Sequence, residues 1–301
     1  MSAPCPACRA PRSMVFVATP RDREYFVARS AVIRRCAECS SLYQDPWPTA
    51  TEAQGFYGAD YQNYGGSTVP LLAQIDAAYQ RREGTAFLGR HGARARVLDF
   101  GCGQGGFLRS LRAAGAPDVA GFDFVLYPEL AAIDGVRWFD NLDALAASGL
   151  VFDVIRMRHV IEHLTDVDGT LALLAGLLAP GGCIVGETPN AGHYTARLMG
   201  GWWGPLHFPY HTVLFSVAGL RHAAERAGLA LASTGGSLLP TGWAMSAENA
   251  MKAVTGSRRR GRSPVYAALM AASMPFALLD LLLGREATAN FGFVLMRADR
   301  R

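Results

Sequence analysis

Val97-Leu98-Asp99-Phe100-Gly101-Cys102-Gly103-Gln104-Gly105-Gly106-Phe107-Leu108 is the stretch that decides the fold. A short apolar strand runs into an acidic residue and a glycine-dense turn, and a helix-forming run, Phe107 to Ala114, follows directly. Glycines at 101, 103, 105 and 106 suit a strand-to-helix turn, which needs φ values that side chains resist and leaves backbone open to a ligand. As a bare pattern, Gly101-x-Gly103-x-x-Gly106 also fits a dinucleotide fingerprint, with Asp123 near the spacing of ~20 residues expected for a ribose-binding acid. Asp99 separates the readings. A pyrophosphate on this turn would face a carboxylate and be repelled, whereas a cofactor carrying an ammonium and a sulfonium would be attracted. The stretch therefore favours S-adenosylmethionine over a nicotinamide dinucleotide, and a glycine turn that only packs a helix on a strand is the bland alternative.

Working outward, strands alternate with helices. Arg96 to Phe100, Val119 to Asp123, Val136 to Leu142 with its turn, Phe152 to Met157, Cys183 to Asn190, Leu229 to Thr234 and Asn290 to Arg297 read as strands. Leu171 to Leu178 reads as a helix stopped by Ala179-Pro180-Gly181-Gly182. This alternation predicts an α/β fold, a doubly wound, seven-stranded, mostly parallel sheet with ligands at the strands' carboxyl ends. At those ends Asp123 is placed to accept both hydroxyls of an adenosine ribose, and the Asp140-Asn141 turn faces the adenine. The expected cofactor residues are Asp99, Gly101, Gly103, Gly105, Asp123 and Asn141.

Before the core, Cys5-x-x-Cys8 and Cys36-x-x-Cys39 are separated by residues 9–35, with β-prone runs at Met14 to Ala18 and Tyr25 to Ile33. Two such knuckles supply four thiolates for a tetrahedral zinc, which holds together a segment too short for its own core. With all four positions filled the zinc is structural; a redox pair is the alternative. Asp45-Pro46-Trp47-Pro48 reads as a stiff turn closing this ribbon. The aromatic run Phe56 to Tyr64 and a helix over Leu71 to Gly89 then suggest packing or a lid over the cofactor mouth. The expected organisation is a zinc ribbon over 1–45, a linker and helical lid over 46–95, a core over 96–239, an apolar and basic insertion over 240–289, and a last core strand and tail over 290–301.

Arg96 to about Leu231 resembles class I S-adenosylmethionine-dependent methyltransferases. DFGCGQG resembles their first motif, GFD the ribose-binding acid, RHVIEHL the segment after strand four, and LAPGG followed by ETPN the corner before strand five. The paired CxxC motifs, DPWPT, FYGADY and Pro209-Tyr210-His211-x-x-x-Phe215-Ser216 are similar to a bacterial small-molecule subgroup. The resemblance implies methyl transfer to a small-molecule, sugar or lipid-linked acceptor through oxygen or nitrogen.

Such a transfer is an in-line displacement that needs alignment and exclusion of water, helped by a base when the acceptor is a hydroxyl or amine. His159, His163, His207 and His211 are the candidates among seven histidines, with His159 and His211 placed nearest the acceptor. Each could equally be satisfied by local hydrogen bonds. His159-x-x-Glu162-His163, with His211 48 residues later, also resembles the ExxEH and later histidine that bind a divalent ion in some RNA and quinone-pathway methyltransferases. His159 departs from that pattern, so a second divalent metal at Glu162 and His163 stays open beside a plain hydrogen-bond cluster. Trp202 and Trp203, between glycines, are expected on the acceptor side, stacking on a ligand or packing the core.

With 301 residues, 50% of them hydrophobic, the chain can bury one α/β core and a small appendage. A net charge of +4, with arginines clustered at 258–262, permits a nucleic-acid substrate without requiring one. No leader pattern opens the chain and the cysteines suit a reducing compartment, so a cytoplasmic protein is expected. Val265 to Leu283 is apolar with Asp280 as its only charge. Its length reaches the threshold for a bilayer span, but Pro275 and the return to a last core strand favour a buried hairpin or peripheral membrane contact through 258–283. Outside the methyltransferase reading, a nicotinamide-dependent oxidoreductase and a non-catalytic zinc-ribbon scaffold remain as alternatives.

Overall fold

The structure, a computed structural model, describes residues 3–57, 82–125, 127–260, 262 and 264–298. The expected lid over Tyr61, Tyr64 and the first part of the helix from Leu71 lies outside the described residues.

Three strands open the chain, β1 (Ser13–Val17), β2 (Val32–Cys36) and β3 (Leu42–Asp45), paired antiparallel. The expected strand over Tyr25 to Ile33 begins only at Val32. The reason is Asp22, whose carboxylate accepts the backbone N–H groups of Glu24, Tyr25 and Val27 and so satisfies those donors without a strand partner. Helix α1 (Ala50–Gly55) follows a capping box between Thr49 and Glu52, and residues 82–91 form α2.

The main sheet then builds in the predicted alternation. Its elements are β4 (Val97–Phe100), α3 (Gly106–Ala113), β5 (Val119–Phe122), β6 (Val136–Phe139), α4 (Leu142–Ala147), β7 (Phe152–Arg158), α5 (Val167–Leu177) and β8 (Leu178–Pro189). The corner Ala179-Pro180-Gly181-Gly182 ends the helix but belongs to β8. Next come α6 (Tyr194–Met199), β9 (Val213–Leu214), α7 (Val217–Arg226), β10 (Leu229–Gly236), α8 (Thr241–Thr255), α9 (Tyr266–Leu283) and β11 (Asn290–Arg297).

Strand order in the seven-stranded sheet is β10-β11-β8-β7-β4-β5-β6. β6, β5, β4, β7 and β8 run parallel, and β11 pairs antiparallel with both β8 and β10. The chain winds outward from β4 through β5 to β6 and then restarts on the other side at β7, so the switch point lies between β4 and β7, where doubly wound sheets open a crevice. Register puts Phe100 beside Phe122, and the two rings stack at 4.6 Å, fully buried. Each such burial contributes about 2–3 kcal/mol.

The ribbon is welded to this core. β9 adds to β3, giving a four-stranded sheet β1-β2-β3-β9. Ser41, Ser216 and the Cys39 carbonyl form one buried hydrogen-bonded group, and an added Cβ at Gly219 would strike Ser41 Oγ at 2.1 Å. The insertion folds as α8 and α9, joined where Trp243 and Phe276 stack at 4.8 Å. The buried hairpin expected there is half right: α9 buries only Ser273, Ala277 and Asp280 and continues through Pro275.

Candidate functional site

The glycine turn lies at the carboxyl end of β4 as expected. Gly101, Gly103 and Gly105 have φ of +84°, +50° and +77°, conformations that resist side chains. Their surroundings differ. An added Cβ at Gly101 would strike Val160 and one at Gly105 would strike Ile133 and Leu130, whereas at Gly103 it would meet nothing within 4 Å. Gly101 and Gly105 are close-packed, and Gly103 is the open position where a ligand can lie against backbone.

Asp123 stands one residue past β5 and closes onto this turn. Its Oδ2 accepts the Gly103 N–H at 2.7 Å and its Oδ1 accepts the Val125 N–H at 3.1 Å. Burial pushes its carboxyl up, against the backbone N–H groups that hold it down. Each oxygen keeps a lone pair for a further donor. Asn141 caps α4, its Oδ1 accepting the N–H groups of Asp143 and Ala144 at 2.7 and 3.2 Å. It sits just beyond β6 at the same edge as Asp123, so its acceptor oxygen is engaged by the helix it starts.

Asp99 is not the lone carboxylate the electrostatic reading assumed. It is buried, and Arg156 donates to its Oδ1 at 2.9 Å while also reaching Glu83 on α2 at 3.0 Å. Parallel register sets Asp99 beside Arg156, so both side chains emerge on one face. Burial raises the Asp99 carboxyl and Arg156 opposes that shift. Period-2 patterning of β7 could have flagged an arginine between Ile155 and Met157, but its partner strand was needed to name the pair.

A second group of side chains gathers past β7. His159, at φ +53°, has Nδ1 3.3 Å from Glu162 Oε1 and Nε2 3.3 Å from Glu187 Oε1. Burial pushes this imidazole down, yet the two carboxylates outweigh it and hold its pKa up at about 9. In this arrangement both ring nitrogens face carboxylates, which favours the protonated imidazole over a free base. Glu162 is fully buried and accepts from Thr188 Oγ1 at 2.9 Å. Burial raises its carboxyl, but His159 brings the balance below the ordinary value.

His163 and His211 pack edge to face at 4.7 Å. The Nδ1 of His163 lies 3.1 Å from Tyr210 O and 2.9 Å from Tyr57 Oη, and the Nδ1 of His211 lies 2.7 Å from Pro205 O. Carbonyl oxygens only accept, so both Nδ1 atoms carry the proton and both Nε2 atoms keep a lone pair. Burial lowers His163 to about 4 and His211 well below its ordinary value, so both rings are neutral. Glu162, His163 and His211 bring ligand atoms within 4.8 Å of one another. Two neutral imidazoles and a carboxylate, each held by an outer partner, fit a divalent cation with open positions.

What holds His211 there was not foreseen. Gln44 of β3, fully buried, donates from Nε2 to Pro209 O at 2.7 Å and His211 O at 2.8 Å. Its backbone N–H bonds Thr212 O, and Thr212 N–H in turn bonds Glu162 O. His207 packs 5.0 Å from His211 and 3.2 Å from Glu24. The tryptophans divide: Trp203 is buried, donating to Thr195 Oγ1, and Trp202 is exposed beneath the Arg23 guanidinium.

Cys5, Cys8, Cys36 and Cys39 converge as expected, with Sγ separations of 3.8 Å for Cys5–Cys39 and 3.4 Å for Cys8–Cys36. Four sulfurs at ~2.3 Å from a tetrahedral ion stand about 3.8 Å apart. The donor set therefore fits zinc. A hydrogen bond from Cys5 brings the Cys39 thiol down to about 5, which favours a thiolate there.

Comparison with known proteins gives these features a family. Residues 73–234, more than half of the chain, match the family model described as Methyltransferase domain. Ubiquinone biosynthesis O-methyltransferase of Chelativorans sp. (strain BNC1) is 30% identical over 146 residues, 44% of this chain and 58% of that protein. The protein of the same name from Sinorhizobium medicae (strain WSM419) is 38% identical over 104 residues, 32% of this chain and 41% of that one. The chain thus spans about half the length of these curated relatives. Magnesium protoporphyrin IX methyltransferase from Synechocystis PCC 6803, solved with bound SAH, aligns at 17% identity and a TM-score of 0.45, covering 78% of this chain and 91% of that one. The oxidoreductase and scaffold readings find no support among these matches. By the family model that covers its glycine turn, Asp123 and the segment after β7, the chain belongs to the methyltransferase-domain family.

Proposed function

We propose that the protein transfers a methyl group from S-adenosylmethionine to a hydroxyl of a small-molecule acceptor. The observation that carries this is the Asp123 carboxylate clamped on Gly103 N–H at the open position of the turn, beside the β4/β7 switch point. Asp123 keeps lone pairs for the ribose hydroxyls, and Gly103 lets the nucleoside lie against backbone. The O-methyltransferase name of the relatives favours oxygen as the acceptor atom. When bound, S-adenosylmethionine would supply an electrophilic methyl carbon for in-line attack, the sulfonium leaving as a neutral thioether and the acceptor's hydroxyl proton passing to solvent.

On the acceptor side Glu162, His163 and His211 would hold a divalent cation through one carboxylate oxygen and two Nε2 atoms. Such a cation, when bound, would make an acceptor hydroxyl more acidic. His159, between Glu162 and Glu187, would hold the Glu162 carboxylate in position. Cys5, Cys8, Cys36 and Cys39 would hold a structural zinc, leaving no position for substrate.

Calorimetry against S-adenosylhomocysteine and NADH, followed by transfer of tritiated methyl into catechol-type acceptors and fractionated cell extract, tests the reading. We expect binding of the demethylated donor and label in small solutes or lipid. Binding of NADH with indifference to both donor forms would refute it. Manganese binding that is lost in Glu162→Gln, with donor affinity unchanged, is the expected signature of the second metal.

A further inference from the structure

The methyl-transfer reading leaves the β10–β11 insertion without a task. Its last helix, α9, is the one helix among the described residues long and apolar enough to cross a membrane by length and composition. Its polarity is inverted for a helix facing water. Asp280, its only charged residue, points inward and is 1% exposed, accepting from Tyr194 Oη and Trp243 Nε1 at 2.9 Å each and lying 3.2 Å from His193 Nε2. The outward side is apolar: Phe276, Leu278, Leu279, Leu282 and Leu283 are 47–83% exposed.

The charge pattern names the surface that would cover this face. Between Val254 and Leu283 the sequence holds four arginines (258, 259, 260 and 262) and no acid but the buried Asp280. Arg258 and Arg259 are exposed just ahead of the helix, and Arg262 turns back toward Glu24 and Glu248. Apolar residues outward, with cations ahead of the helix and no exposed acid between Val254 and Leu283, suit the boundary between acyl chains and anionic headgroups.

A transverse span does not fit. It would strip Asp280 of its partners, part Phe276 from Trp243, and drag on β11, which starts seven residues after α9 between β8 and β10.

We propose that α9 lies in the surface of an anionic phospholipid bilayer, with its leucine side in the acyl boundary and Arg258 and Arg259 among the headgroups. Asp280 ties the helix to His193 and Tyr194, just beyond the carboxyl end of β8. Docking therefore brings the acceptor edge of the sheet to the membrane, where an amphiphilic acceptor is concentrated.

The test is flotation of the full zinc-loaded chain with vesicles of phosphatidylglycerol and phosphatidylcholine, and of phosphatidylcholine alone, at low and high salt. No methyl donor is used, so the outcome is independent of the proposed chemistry. We expect the chain to float with anionic vesicles, at least tenfold less in high salt or with neutral lipid, and to be released by alkaline carbonate. The double variants Leu279→Asp with Leu282→Asp, and Arg258→Glu with Arg259→Glu, should each lose at least tenfold in partition while keeping the parent's circular dichroism and melting temperature.

Three results overturn the proposal. They are a parent chain that stays with the soluble fraction at low salt, resistance to carbonate, and a concentration-dependent dimer broken by the leucine variants with no vesicle binding, which would make the cover a second copy.

Discussion

The cofactor edge and the acceptor cluster lie side by side at the carboxyl ends of the strands, yet they are built differently. The first is made from residues 97–125, a strand, a turn, a helix and the next strand, and its key bond joins Gly103 to Asp123. The second draws Glu162 and His163 from the turn after β7 and His211 from a loop 48 residues on, which Gln44 of the ribbon holds by two carbonyls. One half is local and rests on backbone geometry. The other is assembled at long range and depends on the N-terminal appendage, whose four cysteines fit a zinc ion.

If that contrast is right, damage to the ribbon should reach the acceptor half and spare the cofactor half. Cys39→Ser should show the largest effect, since structural zinc in small ribbons carries on the order of 10 kcal/mol of folding free energy. We expect loss of zinc by metal analysis and faster hydrogen exchange at Thr212, Val213 and Leu214, with S-adenosylhomocysteine affinity within about twofold of the parent. A parallel collapse of that affinity would show the two halves to be one unit.

Asp123→Ala is the converse cut. If Asp123 accepts two ribose hydroxyls as proposed, its removal should cost about 3 kcal/mol of binding, roughly 100-fold in Kd by calorimetry, while manganese binding at Glu162 persists. Gln44→Ala leaves the Pro209 and His211 carbonyls without their buried donor. It should weaken manganese binding on the order of 10-fold, as outer partners of metal ligands do, with zinc content and donor affinity retained. Asn141→Ala sharpens the local half. Loss of a cap costs about 1 kcal/mol, read as a drop of a few degrees in Tm. Any loss of donor affinity beyond about twofold would mark Asn141 as a cofactor contact as well as a cap.

The parts legible in the sequence share a property. The glycine turn, Asp123, the paired CxxC motifs, and β11, whose bounds were read directly as Asn290 to Arg297, are signalled by residues whose partners lie in the same turn or repeat the same chemistry. Where expectation failed, a distant partner had intervened. Asp99 lost its free charge to Arg156 because two strands 57 residues apart pair in register. His159 gained two carboxylate neighbours because Glu187, on the neighbouring strand β8, faces it across from Glu162. The strand expected from Tyr25 gave way to a turn because Asp22 supplied its hydrogen bonds.

The sequence by itself determined the doubly wound core, the glycine turn at the end of its first strand and the four sulfurs of the ribbon. Backbone conformation and ligand spacing are short-range, and a few residues are enough to specify them. Only tertiary structure decided which charges are compensated, which histidines are neutral, that the ribbon's sheet takes a strand from the core, and that α9 turns its one charge inward. Burial and strand register set those outcomes, and both depend on what the rest of the chain brings alongside.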